Sequence, residues 1–175
     1  MGNDSSLAVL SDQSPRLFNY FKQLFAQVSN PPLDAIREDL VTSIERFIGT
    51  QLNLLEESPD HCNQMRIHDT IVTNGQLETI LTLNNEKGIK ATRIPILFNK
   101  KFHDLKSGLD LVLKKIENVL SEGFNIIVLS DKDISKDEVA IPSLLATSAV
   151  HHHLIRIGLR SKASIIVESG EPRDI

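Results

Sequence analysis

The sequence predicts an α/β fold, a mostly parallel sheet with flanking helices and an N-terminal helical segment packed on it, and three observations carry that expectation. Ile126-Ile127-Val128-Leu129 and Ile165-Ile166-Val167 are short, β-branched apolar bursts without polar alternation, the pattern of strands covered on both faces. Between them, residues 141–159 form a long amphipathic stretch, so the order is strand, helix, strand. Such a connection is a crossover between parallel strands, and crossovers within one sheet are almost always right-handed.

Residues 16–28 read as a helix with a buried aromatic face, since Leu17, Phe21, Leu24 and Val28, with Phe18 and Phe25, recur at three- and four-residue steps. Ser29-Asn30-Pro31-Pro32 ends it, because proline lacks a backbone donor and drives the preceding residue out of the helical region. Asp34 caps a second helix whose stripe runs Ile36, Leu40, Ile44, Phe47 and Ile48, closed by Gly49. Residues 50–71 hold Leu52, Leu54 and Leu55 as apolar anchors in a polar connection and read as irregular. Thr73-Asn74-Gly75-Gln76 has capping-box spacing, which predicts a short helix through Leu77, Ile80 and Leu81 to Asn84-Asn85. Residues 92–97 predict a strand in which Pro95 favours an edge. The most regular helix covers residues 105–122. Leu109, Val112, Leu113, Ile116, Val119 and Leu120 turn inward, Lys114, Lys115 and Glu117 outward, and Gly123 stops it. The second half therefore alternates strand and helix, as a parallel α/β sheet does.

A chain of 175 residues with 41% hydrophobic content can bury a real core, so residues 1–175 are expected to form one unit of the soluble globular class. A net charge of −4 and a pI of about 5.8 argue against nucleic acid or an anionic membrane as partner, because both select clustered Lys and Arg. No apolar run reaches membrane-span length. Cys62 is the only cysteine, which forbids an internal disulfide and suits a reducing compartment. Met1-Gly2 with Ser6 fits the outline of a myristoylation signal, and the polar start lacks the regions of a secretory leader.

In open parallel sheets ligands bind beyond the carboxyl ends of the strands, which singles out Ser130, Asp131 and Asp133. Carboxylates there could hold a metal or a substrate hydroxyl; equally, Ser-Asp turns commonly join strands to helices. His151-His152-His153 cannot converge on one ion, because successive helical residues point about 100° apart. His61, His68 and His103 lack ligand spacing, and Cys62 beside His61 lacks the hydrogen-bonded pairing of an activated thiolate. Arg156, Arg160 and Arg173 could bind an anion or simply be solvated. Neither G-x-G-x-x-G nor a Walker pattern occurs, so nucleotide binding has no local support. The residues show no catalytic, cofactor-binding or metal-binding set.

Longer stretches add what residue chemistry does not. Met1-Gly-Asn-Asp-Ser-Ser-Leu-Ala-Val-Leu-Ser11 and Leu17-Phe-Asn-Tyr-Phe-Lys-Gln-Leu-Phe-Ala-Gln-Val-Ser-Asn-Pro-Pro32 lead the series, followed by Arg37-Glu38, Asn53-Leu54-Leu55 and Leu129-Ser130-Asp131. With Ile141-Pro-Ser-Leu-Leu-Ala146, Ala149-Val-His-His-His-Leu-Ile155 and Gly158-Leu-Arg160, they resemble the central domain of the glutamate synthase large subunit, in the same order and over essentially the whole chain.

The resemblance implies a parent oxidoreductase that transfers the amide nitrogen of glutamine to 2-oxoglutarate and, with reductant, makes two glutamates. It implies an N-terminal glutaminase domain with a cysteine nucleophile, this central domain, an FMN barrel carrying a 3Fe-4S cluster, and a C-terminal β-helix. No residue for those three chemistries falls within these positions, so this segment is expected to hold no cofactor and no activity of its own. The family's central domain starts earlier and runs past Ile175, which implies a segment truncated at both ends, with exposed apolar surface and an open sheet edge. An internal position also removes the myristoylation reading.

The implied partners are the glutaminase and FMN domains of the same polypeptide, a reductase subunit or ferredoxin as electron source, and ammonia in transit. Ser29 and Asn30 match the family's tunnel-lining Thr-Asn ahead of Pro-Pro; Ser keeps the hydroxyl and loses a methyl. A Pro-Pro corner would present Asn30 rigidly to a small polar molecule, whereas a purely structural Asn-Pro turn is the alternative. The tail, residues 167–174, is nearer the pyridine-nucleotide-dependent type than the ferredoxin-dependent one. The cytoplasm, or the plastid stroma in an alga or plant, is the implied compartment. On residues alone a different class stays open, a free-standing domain binding a small ligand around Ser130, Asp131 and Glu168.

Overall fold

A computed structural model of the chain describes residues 7–21, 32–86 and 88–172. The chain divides into two compact units, residues 1–44 and 45–175. In the first, the described residues form 3-10 turns at Ala8–Leu10 and Leu17–Phe21 and one helix, α1, Ala35–Val41. The expected 16–28 helix is corrected at its start, which is 3-10, and Phe21 is 72% exposed rather than part of a buried face. Residues 22–31, and with them Ser29 and Asn30, lie outside the described residues.

Asp34 caps α1 as expected, its Oδ1 accepting from the Arg37 N–H at 2.9 Å. The helix nevertheless ends at Val41, not at Gly49. The Thr42 hydroxyl donates back to the Glu38 carbonyl at 2.7 Å while the Thr42 backbone extends, the competition with helical bonding that Ser and Thr side chains offer. Within α1, Ile36 and Leu40 are 87% and 85% exposed.

The second unit runs β1 (Arg46–Ile48), β2 (Met65–Ile67), α2 (Asn74–Thr82), β3 (Asn84–Glu86), β4 (Ile89–Pro95), β5 (Leu97–Asn99), α3 (Leu105–Ser121), β6 (Ile126–Ser130), β7 (Glu138–Ala140), α4 (Ser143–Arg156) and β8 (Ser164–Glu168). Short 3-10 turns at Pro59–Cys62 and Arg160–Lys162 complete it. The main sheet has the order β3-β4-β6-β8, with β4, β6 and β8 parallel and β3 antiparallel to the start of β4. The mostly parallel sheet with flanking helices is therefore observed.

Period-two alternation sends alternate residues of each central strand into different cores. Ile94, Ile127, Leu129 and Ile165 pack with Val112 and Ile116 of α3 and with Ala146, Val150 and Leu154 of α4. On the opposite face Ile89, Ala91, Ile126 and Ile166 pack with Ile80 of α2, Ile48 of β1 and Met65 and Ile67 of β2. Every residue of β6 is buried, which is why its sequence shows no polar alternation. Each fully buried Ile or Leu there contributes roughly 1.5–3 kcal/mol.

α2 starts with the capping box read from the sequence: the Thr73 N–H donates to Gln76 Oε1 at 2.7 Å and the Gln76 N–H to Thr73 Oγ1 at 3.3 Å. Pro95 is placed less simply. β4 lies inside the sheet, but β3 pairs only with Ile89 and Lys90, so Pro95 sits on an open flank where its missing N–H leaves no partner unpaired.

Residues 50–71 are not wholly irregular, since β2 pairs antiparallel with β1, placing Phe47 opposite Arg66. A second ribbon, β5 with β7, sets Leu97 opposite Ala140 and Asn99 opposite Glu138. Gly108 lets α3 approach that ribbon, because a Cβ there would lie 2.6 Å from Phe98 Cβ. Strands of three residues show too little period to be read from sequence.

Candidate functional site at the strand ends

The parallel register brings Pro95, Ser130 and Glu168 abreast at the carboxyl ends of β4, β6 and β8. The sequence singles out this place, and the structure shows what its polar groups do. Ser130 is 1% exposed; its carbonyl accepts from the Ile96 N–H at 2.8 Å and its Oγ accepts from the Lys132 N–H at 3.2 Å. Asp133 takes φ +71°, the left-handed conformation that Asp tolerates in turns. Both residues thus build the exit turn of β6.

Asp131 joins the next strand. Its N–H donates to the Glu168 carbonyl at 3.2 Å, and its carboxylate accepts from the Ser169 hydroxyl. Ser169 Oγ also accepts from the Glu171 N–H at 3.1 Å, and Glu171 Oε2 accepts from the Ser143 N–H at 2.6 Å. Pro142 precedes α4 and offers no side-chain cap, so a carboxylate 28 residues further along serves the helix start. Negative charge there is favoured by the exposed N–H groups and the helix dipole.

Glu168 is engaged on the α2 side of the sheet. Arg93 reaches across β6 to hold it, with Nε 2.8 Å from Oε2 and Nη2 3.2 Å from Oε1, and the same Nη2 lies 2.6 Å from Glu78 Oε1 on α2. The guanidinium bond holds the Glu78 carboxyl below the usual carboxylate range, and the same bond to Glu78 raises Arg93 further. Sequence reading missed Arg93. The available signal was a charged residue next to Ile94 within the expected 92–97 strand, where a half-buried charge needs a counter-charge within reach.

The histidine run divides its work. His151 Nδ1 accepts from Arg160 Nε at 2.9 Å while Arg160 Nη1 donates to the Ala163 carbonyl at 2.7 Å, which ties the end of α4 to the approach to β8. His153 Nε2 lies 2.7 Å from Glu117 Oε1 and joins α4 to α3. The rings of His151 and His152 meet edge to face at 5.2 Å. Arg160 is thus a structural donor, and Arg173 lies outside the described residues.

Cys62 is exposed, and the neighbouring His61 Nε2 lies 2.8 Å from the Glu56 carbonyl. Among the described residues no group of three or more His, Cys, Asp or Glu is disposed to hold a metal ion, and no helix is long and apolar enough to cross a membrane.

A cavity of about 240 Å³ lies away from the strand ends, along β2 and α2, lined by Met65, Ile67, Ile71 and Ile80 with Arg66 and His68 at its rim. Glu45 bridges that rim, bonded to Arg66 and 3.2 Å from His68 Nδ1, and the Arg66 bond holds its carboxyl below the usual range.

Fold and strand ends together define a mixed α/β segment whose strand-end side chains are bonded within the chain. Comparison with known proteins gives the family. The family described as glutamate synthase central domain matches residues 1–175. The glutamate synthase [NADPH] large chain of Bacillus subtilis is 46% identical over 175 residues, all of this chain and 11% of that protein. The glutamate synthase [NADH] of Schizosaccharomyces pombe is 38% identical over all of this chain and 8% of its own length. The ferredoxin-dependent glutamate synthase of Pyropia yezoensis is 40% identical over 98% of this chain and 11% of its own. The chain belongs to the glutamate synthase central domain family, and it spans about a tenth of the length of these curated relatives.

Proposed function

We propose that this chain is a non-catalytic central segment of a glutamate synthase, joining a glutaminase domain to an FMN domain and forming part of the wall of the ammonia path between them. The parent reaction converts glutamine, 2-oxoglutarate and reductant into two glutamates. FMN and a 3Fe-4S cluster belong to other parts of that polypeptide, and a reductase subunit or ferredoxin supplies the electrons. The observation that carries this reading is the engagement of the strand-end side chains. Ser130, Asp131, Glu168 and Glu171 are each bonded within the chain, so the place where an open parallel sheet offers ligand contacts is used for its own closure. The same contacts weigh against a free-standing ligand-binding domain centred on Ser130, Asp131 and Glu168.

Exposed apolar side chains support a role inside a larger assembly. Leu54 and Leu55, in a stretch that resembles the family, are 90% and 93% exposed, more than isolated surface leucines require. Among the described residues β8 is the last strand of the sheet, a position that proteins ordinarily cover or blunt.

The tunnel assignment rests on Ser29 and Asn30 ahead of Pro31-Pro32 and is tested in the intact enzyme. Asn30→Leu replaces an amide with an apolar group of similar size. Glutamine hydrolysis should continue while glutamate formed per glutamine consumed falls, and synthesis from added ammonia should remain. Unchanged stoichiometry would remove Asn30 from the path.

A further inference from the structure

We infer that Glu171 is a latch that makes the exit of β8 a rigid joint, a conclusion that rests on the architectural role proposed above and deepens it. Residues 169–172 do not simply leave the sheet. They turn back across the strand ends, where two consecutive contacts hold them: Ser169 donates to the Asp131 carboxylate, and Glu171 accepts from the first N–H of α4 at 2.6 Å. The Glu171 N–H folds onto Ser169 Oγ at 3.1 Å, so the two contacts share one turn. The turn therefore bridges the exit of β6 to the start of α4.

The chemistry makes the second contact the stronger. A carboxylate accepting from an N–H at a helix start is charge-assisted and lies at the positive end of the dipole. Pro142 leaves α4 with no cap of its own, so the helix start depends on this distant residue for that bond. The dependence runs both ways, since α4 is ordered at its first turn by the strap and the strap is aimed by α4. Because α4 also joins α3 through His153 and Glu117, the direction in which the chain leaves β8 is set by the helical layer as well as by the sheet. For a segment that spaces two reaction centres, that rigidity defines where the following part of the polypeptide begins.

Hydrogen exchange with mass spectrometry on the intact enzyme, together with the glutamate formed per glutamine consumed, tests this. In Glu171→Ala, exchange in peptides covering Ser143 should rise by about 10- to 100-fold, as loss of one charge-assisted bond implies, while peptides covering Val128 and Leu129 stay protected. The glutamate-to-glutamine ratio should fall with it. Glu171→Gln keeps an oxygen acceptor and loses the charge, so it should give a smaller rise at Ser143. If exchange at Ser143 does not change in either variant, no latch exists. If Glu171→Ala also exposes Val128 and Leu129, Glu171→Gln decides, with a selective rise at Ser143 supporting the latch and none overturning it. A selective rise with an unchanged ratio would leave the latch standing and overturn its part in coupling, and with it the spacing role of this segment.

Discussion

Asn125 occupies the opposite end of the sheet from the candidate site, and its side chain makes three bonds to two other segments, residues 88–90 and Thr50. Its Oδ1 accepts from the Lys90 N–H at 2.9 Å, and its Nδ2 donates to the Gly88 carbonyl at 2.8 Å and to Thr50 Oγ1 at 3.2 Å. The backbone adds bonds to Lys90 and Ser164, so β4, β6 and β8 meet at this residue. Asn125→Ala is expected to lower stability by about 1–3 kcal/mol, because the side chain is buried and its backbone partners would be left unpaired. The urea midpoint reads this, and an unmoved midpoint would show that water takes over those bonds. Ser143 gives the reverse case. It is 1% exposed, and its Oγ has no hydrogen-bond partner among the described residues. Ser143→Ala removes a buried unpaired hydroxyl and adds helix propensity, so stability should rise by about 0.5–2 kcal/mol. A loss of stability would mean that the hydroxyl is satisfied by water. Neither role was legible in the sequence, where Asn125 is a polar residue before an apolar burst and Ser143 one serine among many.

At the scale of elements, Arg93 shows how a strand can carry a charge without failing as a strand. It lies on the face that packs against α2, opposite Val128 in register, and its guanidinium spans β6 to bind Glu168 while also reaching Glu78. β4, β8 and α2 are thereby clamped above an apolar layer. The Glu78 carboxyl is held low by Arg93, so its pKa in the folded chain lies below its unfolded value of about 4.3. A depressed carboxylate stabilises the fold above the unfolded pKa, and that contribution disappears as pH falls through the folded pKa. Glu78→Gln should therefore be less stable than the parent near neutral pH, with the gap closing as pH falls below about 4.3 and narrowing in high salt. Denaturant midpoints for both proteins across that range measure it. A gap of constant size would assign the effect to packing. Because Glu78 is exposed, the effect is small.

Over the whole molecule, legibility followed the length of each signal. The βαβ core was readable because its strands are continuous apolar bursts and α3 and α4 carry long stripes. The α2 capping box was readable because both of its bonds are local. The second helix was read too long because Ile44, Phe47 and Ile48 extend the stripe of α1 by spacing alone. In the fold, Ile48 belongs to a strand paired with β2 and buried beside Ile80. Local periodicity and long-range pairing competed there, and burial against a distant partner decided. The site followed the same rule. Position after a strand pointed to Ser130 and Asp131; the Ser130 hydroxyl bonds locally to the Lys132 N–H, but the partner of Asp131, Ser169 and through it Glu171, is far along the chain and unspecified by local pattern.

The sequence by itself determined the fold class, the principal elements and, through long matching stretches, the family, since each is written in runs of neighbouring residues. Only the tertiary structure decided that the strand-end groups bind one another, that Arg93 clamps three elements, and that Glu171 caps a helix begun 28 residues earlier. Those outcomes depend on parallel register and on which residues the assembled sheet brings within about 3 Å, the range of a hydrogen bond, and no local pattern encodes such a distance.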